Sequence, residues 1–127
     1  MLELKIIISN SLNDPIYNQI SNQIKSQIIK GDLQEGELLP SIRALAKDLQ
    51  ISVITTKRAY DELEKDGFVY TVPGKGTYVA MQNRDLLKER KLKIIEEGLA
   101  AIIDECKQMD IPYKEIDTIV RKLFEED

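Results

Sequence analysis

Histidine is absent from this 127-residue chain, and cysteine occurs once, at Cys106. The first absence removes the usual general base near neutral pH and the commonest nitrogen ligand of a metal ion. The second rules out a disulfide within the chain and fits a reducing cytoplasm. Long apolar runs are missing too. No stretch approaches the roughly 20 residues that cross a bilayer, so no membrane partner is expected. Leu2 to Ile8 is apolar but short, is interrupted by Glu3 and Lys5, and lacks a small-residue cleavage site, so it does not read as a signal peptide. Nor is there an excess of positive charge: 18 Lys and Arg face 22 Asp and Glu, a net −4. Such a chain does not coat a polyanion by bulk charge. Residues 1–80 hold 9 basic and 10 acidic residues, and residues 81–127 hold 9 and 12. Any nucleic-acid contact must therefore come from a local basic patch on the nearly neutral first part. There is no internal repeat and no low-complexity segment.

What is present is enough apolar material, 43% of residues, to bury a core in one domain, or in a small domain with an extension. Leu4 to Ile8, rich in isoleucine, reads as a short edge strand. Asn13-Asp14-Pro15 opens a helix, with Asp14 placed to cap free N–H groups and Pro15 suited to the first helical position. Ile16, Ile20, Ile24 and Ile28 follow at helical spacing until Gly31-Asp32 stops the run. Gly36 and the acids around it make a loop. Ser41 is an N-cap for a second helix whose apolar stripe is Ile42, Leu45, Ala46 and Leu49. Gln50-Ile51-Ser52 is a tight break. Ser52 then caps a third helix to about Asp66, ended by Gly67, with Thr56, Ala59, Tyr60 and Leu63 facing inward. Two β-prone segments, Phe68-Val69-Tyr70 and Thr77-Tyr78-Val79, flank the turn residues Val72 to Gly76 and predict a hairpin.

After Ala80 the pattern changes. A long helix is predicted from about Asn83 to Gln108. Its Leu92, Ile95, Leu99, Ile102, Cys106 and Met109 are spaced alternately by three and four, the spacing of a coiled-coil seam. Leu87, Ile94 and Ile103 broaden that seam. Asp110-Ile111-Pro112 breaks the helix, and a last helix over 113–126 carries Ile116, Ile119, Val120, Leu123 and Phe124. Cys106 on such a seam reads as a buried apolar residue rather than a reactive thiol.

Helix, helix, tight turn, helix, hairpin is the order of a winged helix-turn-helix. In that arrangement the helix after the turn enters the major groove of DNA with its N-terminal residues at the base edges. Here those residues face outward as Val53, Ile54, Thr55, Lys57 and Arg58. Lys57 or Arg58 can donate to guanine or phosphate, and the hydroxyls of Ser52 and Thr55 and the helix's free N–H groups suit phosphate. Asp61, Glu62, Glu64 and Asp66 come later and should point away from the duplex. Basic before acidic runs against the helix dipole, so helix stability alone would not select it. Gly74-Lys75-Gly76 is too short for a phosphate-cradling nucleotide loop and lacks that loop's terminal Lys-Ser or Lys-Thr.

These motifs carry a family resemblance. Pro15-Ile16-Tyr17-Asn18-Gln19-Ile20, Leu39-Pro40-Ser41-Ile42-Arg43-Ala44-Leu45-Ala46, Ile51-Ser52, Thr55-Thr56-Lys57-Arg58-Ala59-Tyr60-Asp61-Glu62-Leu63, Gly67-Phe68 and Gly74-Lys75-Gly76-Thr77-Tyr78-Val79 occur in the order found in the GntR family of transcription regulators. The resemblance covers roughly residues 10–80, and the short two-helix tail resembles the YtrA subfamily. It implies DNA contacts by Ser41, Arg43, Ser52, Thr55, Lys57, Arg58 and the hairpin tip Gly74 to Gly76. It also implies control of a nearby membrane-transporter operon. Gln50 departs from the family by standing where a turn glycine is usual. Val53 and Ile54 stand where many members have polar or basic residues, and they suit thymine methyl groups instead.

The expected fold is mostly α with a small β-hairpin wing: a winged helix-turn-helix domain over residues 1–80 and a helical dimerisation tail over 81–127. The expected function is a DNA-binding regulator, a repressor that holds a palindromic double-stranded operator as a homodimer. No cofactor, metal or enzymatic activity is expected, because no nucleophile–base pair or metal cluster is visible. The tail is too short for a large effector domain. A small-molecule effector of unknown identity could still bind in a cleft between tail and DNA-binding domain, although no cluster of convergent polar residues marks one. The rival is a protein-interaction module using the exposed apolar Val53 and Ile54.

Overall fold

The computed structural model describes residues 4–10 and 13–126. Five helices and one hairpin follow in order: α1 Ile16–Lys30, α2 Ile42–Leu49, α3 Val53–Lys65, β1 Val69–Val72, β2 Gly76–Val79, α4 Arg84–Gln108 and α5 Tyr113–Glu125. The chain divides into two compact units, one ending at Lys88 and the other beginning at Glu89.

The first unit forms around the isoleucine stripe of α1. Ile20 and Ile24 are wholly buried, Ala59 and Leu63 of α3, which packs on α1, are wholly buried too, and Leu45 of α2 and Val79 of β2 are nearly so. α3 is the hub, packing on α1, on α2 and on β1. Local chemistry sets the helix ends. Gly31 takes a left-handed conformation (φ 87°) that ends α1, which a side chain would resist. Ser41 and Ser52 accept hydrogen bonds from the third backbone N–H beyond each of them, as N-caps do. The two strands pair antiparallel, Val69 opposite Val79 and Val72 opposite Gly76. Residues 36–39 add a third rail: Gly36 and Leu39 donate to Val79 and Thr77, and Val79 donates to Glu37. Every polar side-chain atom buried among the described residues has a hydrogen-bond partner.

Two local expectations are corrected. Residues 4–9 form no strand, because no strand lies beside them. Glutamines of α1 take that place. Gln19 accepts from Ser9 N–H at 2.9 Å and donates to its carbonyl at 2.9 Å. Gln23 does the same for Ile7 at 2.9 and 2.6 Å, and Gln27 donates to the carbonyl of Lys5 at 3.0 Å. Spaced four apart, the three amides share a helix face and grip alternate residues of the segment. Asp14, for its part, does not cap α1: its carboxylate accepts from the Asn18 amide at 2.6 Å, and Pro15 occupies the cap position with no side-chain bond.

The second unit holds most of α4 and all of α5. Asp110 (φ 56°) reverses the chain, and Ile111 N–H donates to the Cys106 carbonyl at 2.8 Å. Cys106 is buried by its own chain. The other seam residues are not: Leu92, Ile95, Leu99, Ile102 and Met109 stay between 46% and 63% exposed, and Phe124 of α5 reaches 87%.

Candidate nucleic-acid interface

The helix-turn-helix pair is joined by three residues, and the strain of that tight turn falls on one of them. Gln50 adopts φ 57° and ψ 47°, so a residue with a Cβ stands in the left-handed region. Ile51 N–H then donates to the Ala46 carbonyl at 3.0 Å, which turns the chain back toward α3. Ser52 leads into α3 in extended geometry. Its Oγ accepts from Thr55 N–H at 3.0 Å and donates to Thr55 Oγ1 at 2.7 Å. The start of α3 thus presents hydroxyls beside the N–H groups of Val53 and Ile54, a donor-rich end with the positive pole of the helix behind it.

Sequence-predicted residues line this end. Val53 is 47% and Ile54 82% exposed; Ser52, Lys57 and Arg58 are exposed, and Thr55 is half-buried. Thr56, Ala59, Tyr60 and Leu63 are buried on the opposite face, as the stripe predicts. Ser41 and Arg43 are exposed on α2, and Arg43 has no ion pair among the described residues. Asp61 follows Lys57 by one helical turn, and its carboxylate sits 2.8 Å from Nζ. Both partners are more than half exposed, so the pair is worth only a few tenths of a kcal/mol, about what an i,i+4 surface pair contributes.

Tyr17 is the residue that sequence reasoning passed over here. Its ring lies beneath Arg58, with the guanidinium carbon 3.8 Å from the ring centroid and one guanidinium N–H donating to the phenol oxygen at 3.1 Å. Its place in the Pro-Ile-Tyr start of α1 was the only available signal, and the separation of 41 positions between the two conceals the contact. Tyr60 ties α3 to the approach to α2 by donating to the Pro40 carbonyl at 2.7 Å, and burial pushes its phenol well above the usual tyrosine range.

The hairpin stands at the far end of α3. Glu64 accepts from Thr71 N–H at 2.9 Å, and Tyr70 and Tyr78 stack across the strands with centroids 5.6 Å apart. At the tip, Gly74 and Lys75 are exposed and Gly76 is half-buried. Gly76 has φ 134°, a backbone conformation that favours glycine, and a Cβ there would lie 2.7 Å from Leu38 Cδ1 and push that side chain aside. No cluster of acidic residues or cysteine suited to a metal ion occurs among the described residues, and no helix among them is long and apolar enough to cross a membrane.

Comparison with known proteins agrees with this architecture. The chain is 32% identical, over 86% of its length and 84% of the relative's, to the HTH-type transcriptional repressor YtrA of Bacillus subtilis. A solved GntR family transcriptional regulator from Listeria monocytogenes superposes with a TM-score of 0.71 at 31% identity, covering 91% of this chain and 98% of that one, tail helices included. AraR(DBD) in complex with operator ORX1 matches 63% of this chain and 100% of its own, at 28% identity and a TM-score of 0.54. The model of the bacterial regulatory proteins of the gntR family matches residues 16–79. With a winged helix-turn-helix in the order that family requires and a full-length relative above 30% identity, this chain belongs to the GntR family of DNA-binding transcription regulators.

Proposed function

We propose that the chain is a repressor that occupies a palindromic operator as a homodimer. Residues 1–80 read the DNA and residues 81–127 pair the two copies. The observation that carries the DNA reading is the exposed N-terminal end of α3, where Ser52, Val53, Ile54, Thr55, Lys57 and Arg58 gather beside free backbone donors. In this reading Arg58 and Lys57 meet base edges or phosphates, Val53 and Ile54 meet thymine methyls, and Ser41, Arg43 and the tip Gly74 to Gly76 hold the flanking backbone. Dimerisation is supported by the apolar face left uncovered on α4, where Leu92, Ile95, Leu99 and Ile102 are about half exposed. An exposed stripe of that extent on a monomer marks an interface. A two-fold dimer would place its recognition helices on half-sites about one DNA turn apart.

The YtrA relative supports repression, and control of a transporter operon is carried by the subfamily resemblance alone. A small-molecule effector would take the cleft of about 260 Å³ lined by Ile28, Leu33, Gln34, Val79, Gln82 and Leu87.

The test is selection of bound fragments from a random duplex pool at two salt concentrations, with the oligomeric state measured by sedimentation. One recovered palindrome, bound by a dimer with log affinity falling linearly with log salt, supports the reading. Folded dimer with no preferred sequence at either salt overturns it and favours a protein partner for the exposed Val53 and Ile54.

A further inference from the structure

Two neighbouring cations on α3 are held in opposite ways. Lys57 is paired with a carboxylate, Asp61, one turn along its own helix. Arg58 has no carboxylate partner among the described residues; it is held by a neutral ring from another helix, Tyr17 in the first turn of α1. The difference matters for an anionic ligand. A carboxylate that pins a guanidinium also cancels its charge and repels an incoming phosphate. A tyrosine pins it through the ring face and one hydrogen bond, and leaves the full positive charge in place. Arginine has five N–H donors in a planar fork. One is committed to the phenol oxygen, and the others remain for a ligand. Arg58 is exposed while Tyr17 is half-buried, so the support lies on the protein side and the donors on the solvent side.

We infer that Tyr17 is a positioning residue for DNA recognition, fixing the guanidinium of Arg58 in its working orientation before DNA arrives. A free arginine side chain must surrender its rotamer freedom on binding, and a pre-ordered one has already done so. The orientation also limits which base-pair edge the fork can meet, so Tyr17 sets selectivity at the base pair Arg58 touches without touching it. The inference rests on the reading of α3 as the helix that enters the groove.

The experiment measures binding of the full-length protein to its selected operator and to that operator's single-base variants, for Tyr17→Phe, Tyr17→Ala, Arg58→Ala and the double variant Tyr17→Ala/Arg58→Ala. Tyr17→Ala should weaken operator binding by about tenfold, on the scale of an exposed cation–π contact together with one hydrogen bond, and flatten the preference at the base pair that Arg58→Ala also flattens. The double variant should bind no worse than Arg58→Ala alone. Tyr17→Phe keeps the ring and should recover most of the preference. Two results overturn the inference while leaving the operator reading intact: losses that multiply in the double variant, or Tyr17→Ala binding as the parent does while Arg58→Ala fails. If Arg58→Ala itself binds the operator like the parent, both the contact and the positioning role fall. Thermal midpoints of each variant separate these outcomes from misfolding, and Tyr17→Phe keeps the test open if Tyr17→Ala does not fold.

Discussion

At the scale of single residues, the turn between α2 and α3 shows a local preference overruled by packing. Gln50 stands in left-handed geometry, where a residue with a Cβ is disfavoured by roughly 1–2 kcal/mol. Ile51 and Ser52 must nevertheless bring α3 back across α2, and burial of Leu45, Ala46, Ala59 and Leu63 holds the turn closed. Glycine would relieve the strain but adds freedom to the unfolded chain, roughly 0.5–1 kcal/mol in the other direction. Gln50→Gly should therefore stabilise the protein by about 0.5 kcal/mol, raising the thermal midpoint by ~2–4 °C. An unchanged or lower midpoint in a calorimetric scan would show that the turn carries no strain. Gly76 is the converse case. Its φ of 134° disfavours any residue with a Cβ, and an added methyl group would also have to displace the end of the Leu38 side chain. Gly76→Ala should lower the midpoint by ~5 °C or more, from strain of about 1–3 kcal/mol in a sparsely populated backbone region, and loosen the rail of residues 36–39. Retained exchange protection at Leu39 N–H would contradict that.

Elements were legible where their signals are local. Ser41, Ser52, Gly31 and Gly67 mark helix ends through contacts within a turn of themselves, and the structure uses each where the sequence puts it. The inward stripe of α3 follows in the same way from a 3.6-residue period. What failed is whatever depended on a partner. Leu4 to Ile8 has strand composition, but strand pairing needs another strand, and three glutamines of α1 stand there instead. Asp14 has cap chemistry, but Asn18 captured its carboxylate. Asp61 lies four residues after Lys57, so its pairing was written in the spacing. The glutamine grip is itself testable. Gln23→Glu keeps the acceptor for Ile7 N–H but, ionised, has no donor for the Ile7 carbonyl 2.6 Å from the present amide. The hold on this segment should weaken by about 0.5–1.5 kcal/mol, read as faster amide exchange at Ile7. Because a protonated carboxyl can donate, protection should return as pH falls through about 4. Exchange that ignores both the substitution and pH would mean the segment is held by Leu4 and its neighbours alone.

For the whole molecule, the weight of exposed apolar surface falls on the tail. The first unit has a closed core, whereas the second buries little besides Cys106 and leaves Leu92, Ile95, Leu99, Leu123 and Phe124 to solvent. The seam spacing was readable in sequence; that the chain's own last helix does not cover it was not, since spacing says which residues share a face and not what meets that face. Leu99→Asp changes a residue already 46% exposed, so the single chain should keep its helical content. Sedimentation should show a monomer at concentrations where the parent is a dimer, and the thermal midpoint should cease to depend on concentration. If the variant sediments as the parent does, the proposed interface lies elsewhere.

The glutamine grip also has a natural length limit. Four residues of helix advance about 6.0 Å, and two residues of extended chain about 6.6 Å, so the two scales slip by roughly 0.6 Å at each rung. They work as a vernier whose marks coincide only locally. The drift is visible: Gln19 and Gln23 each make both bonds to their residue, whereas Gln27 makes only one, to the Lys5 carbonyl. The measure of the clasp is thus set by two incommensurate repeats rather than by the number of glutamines supplied.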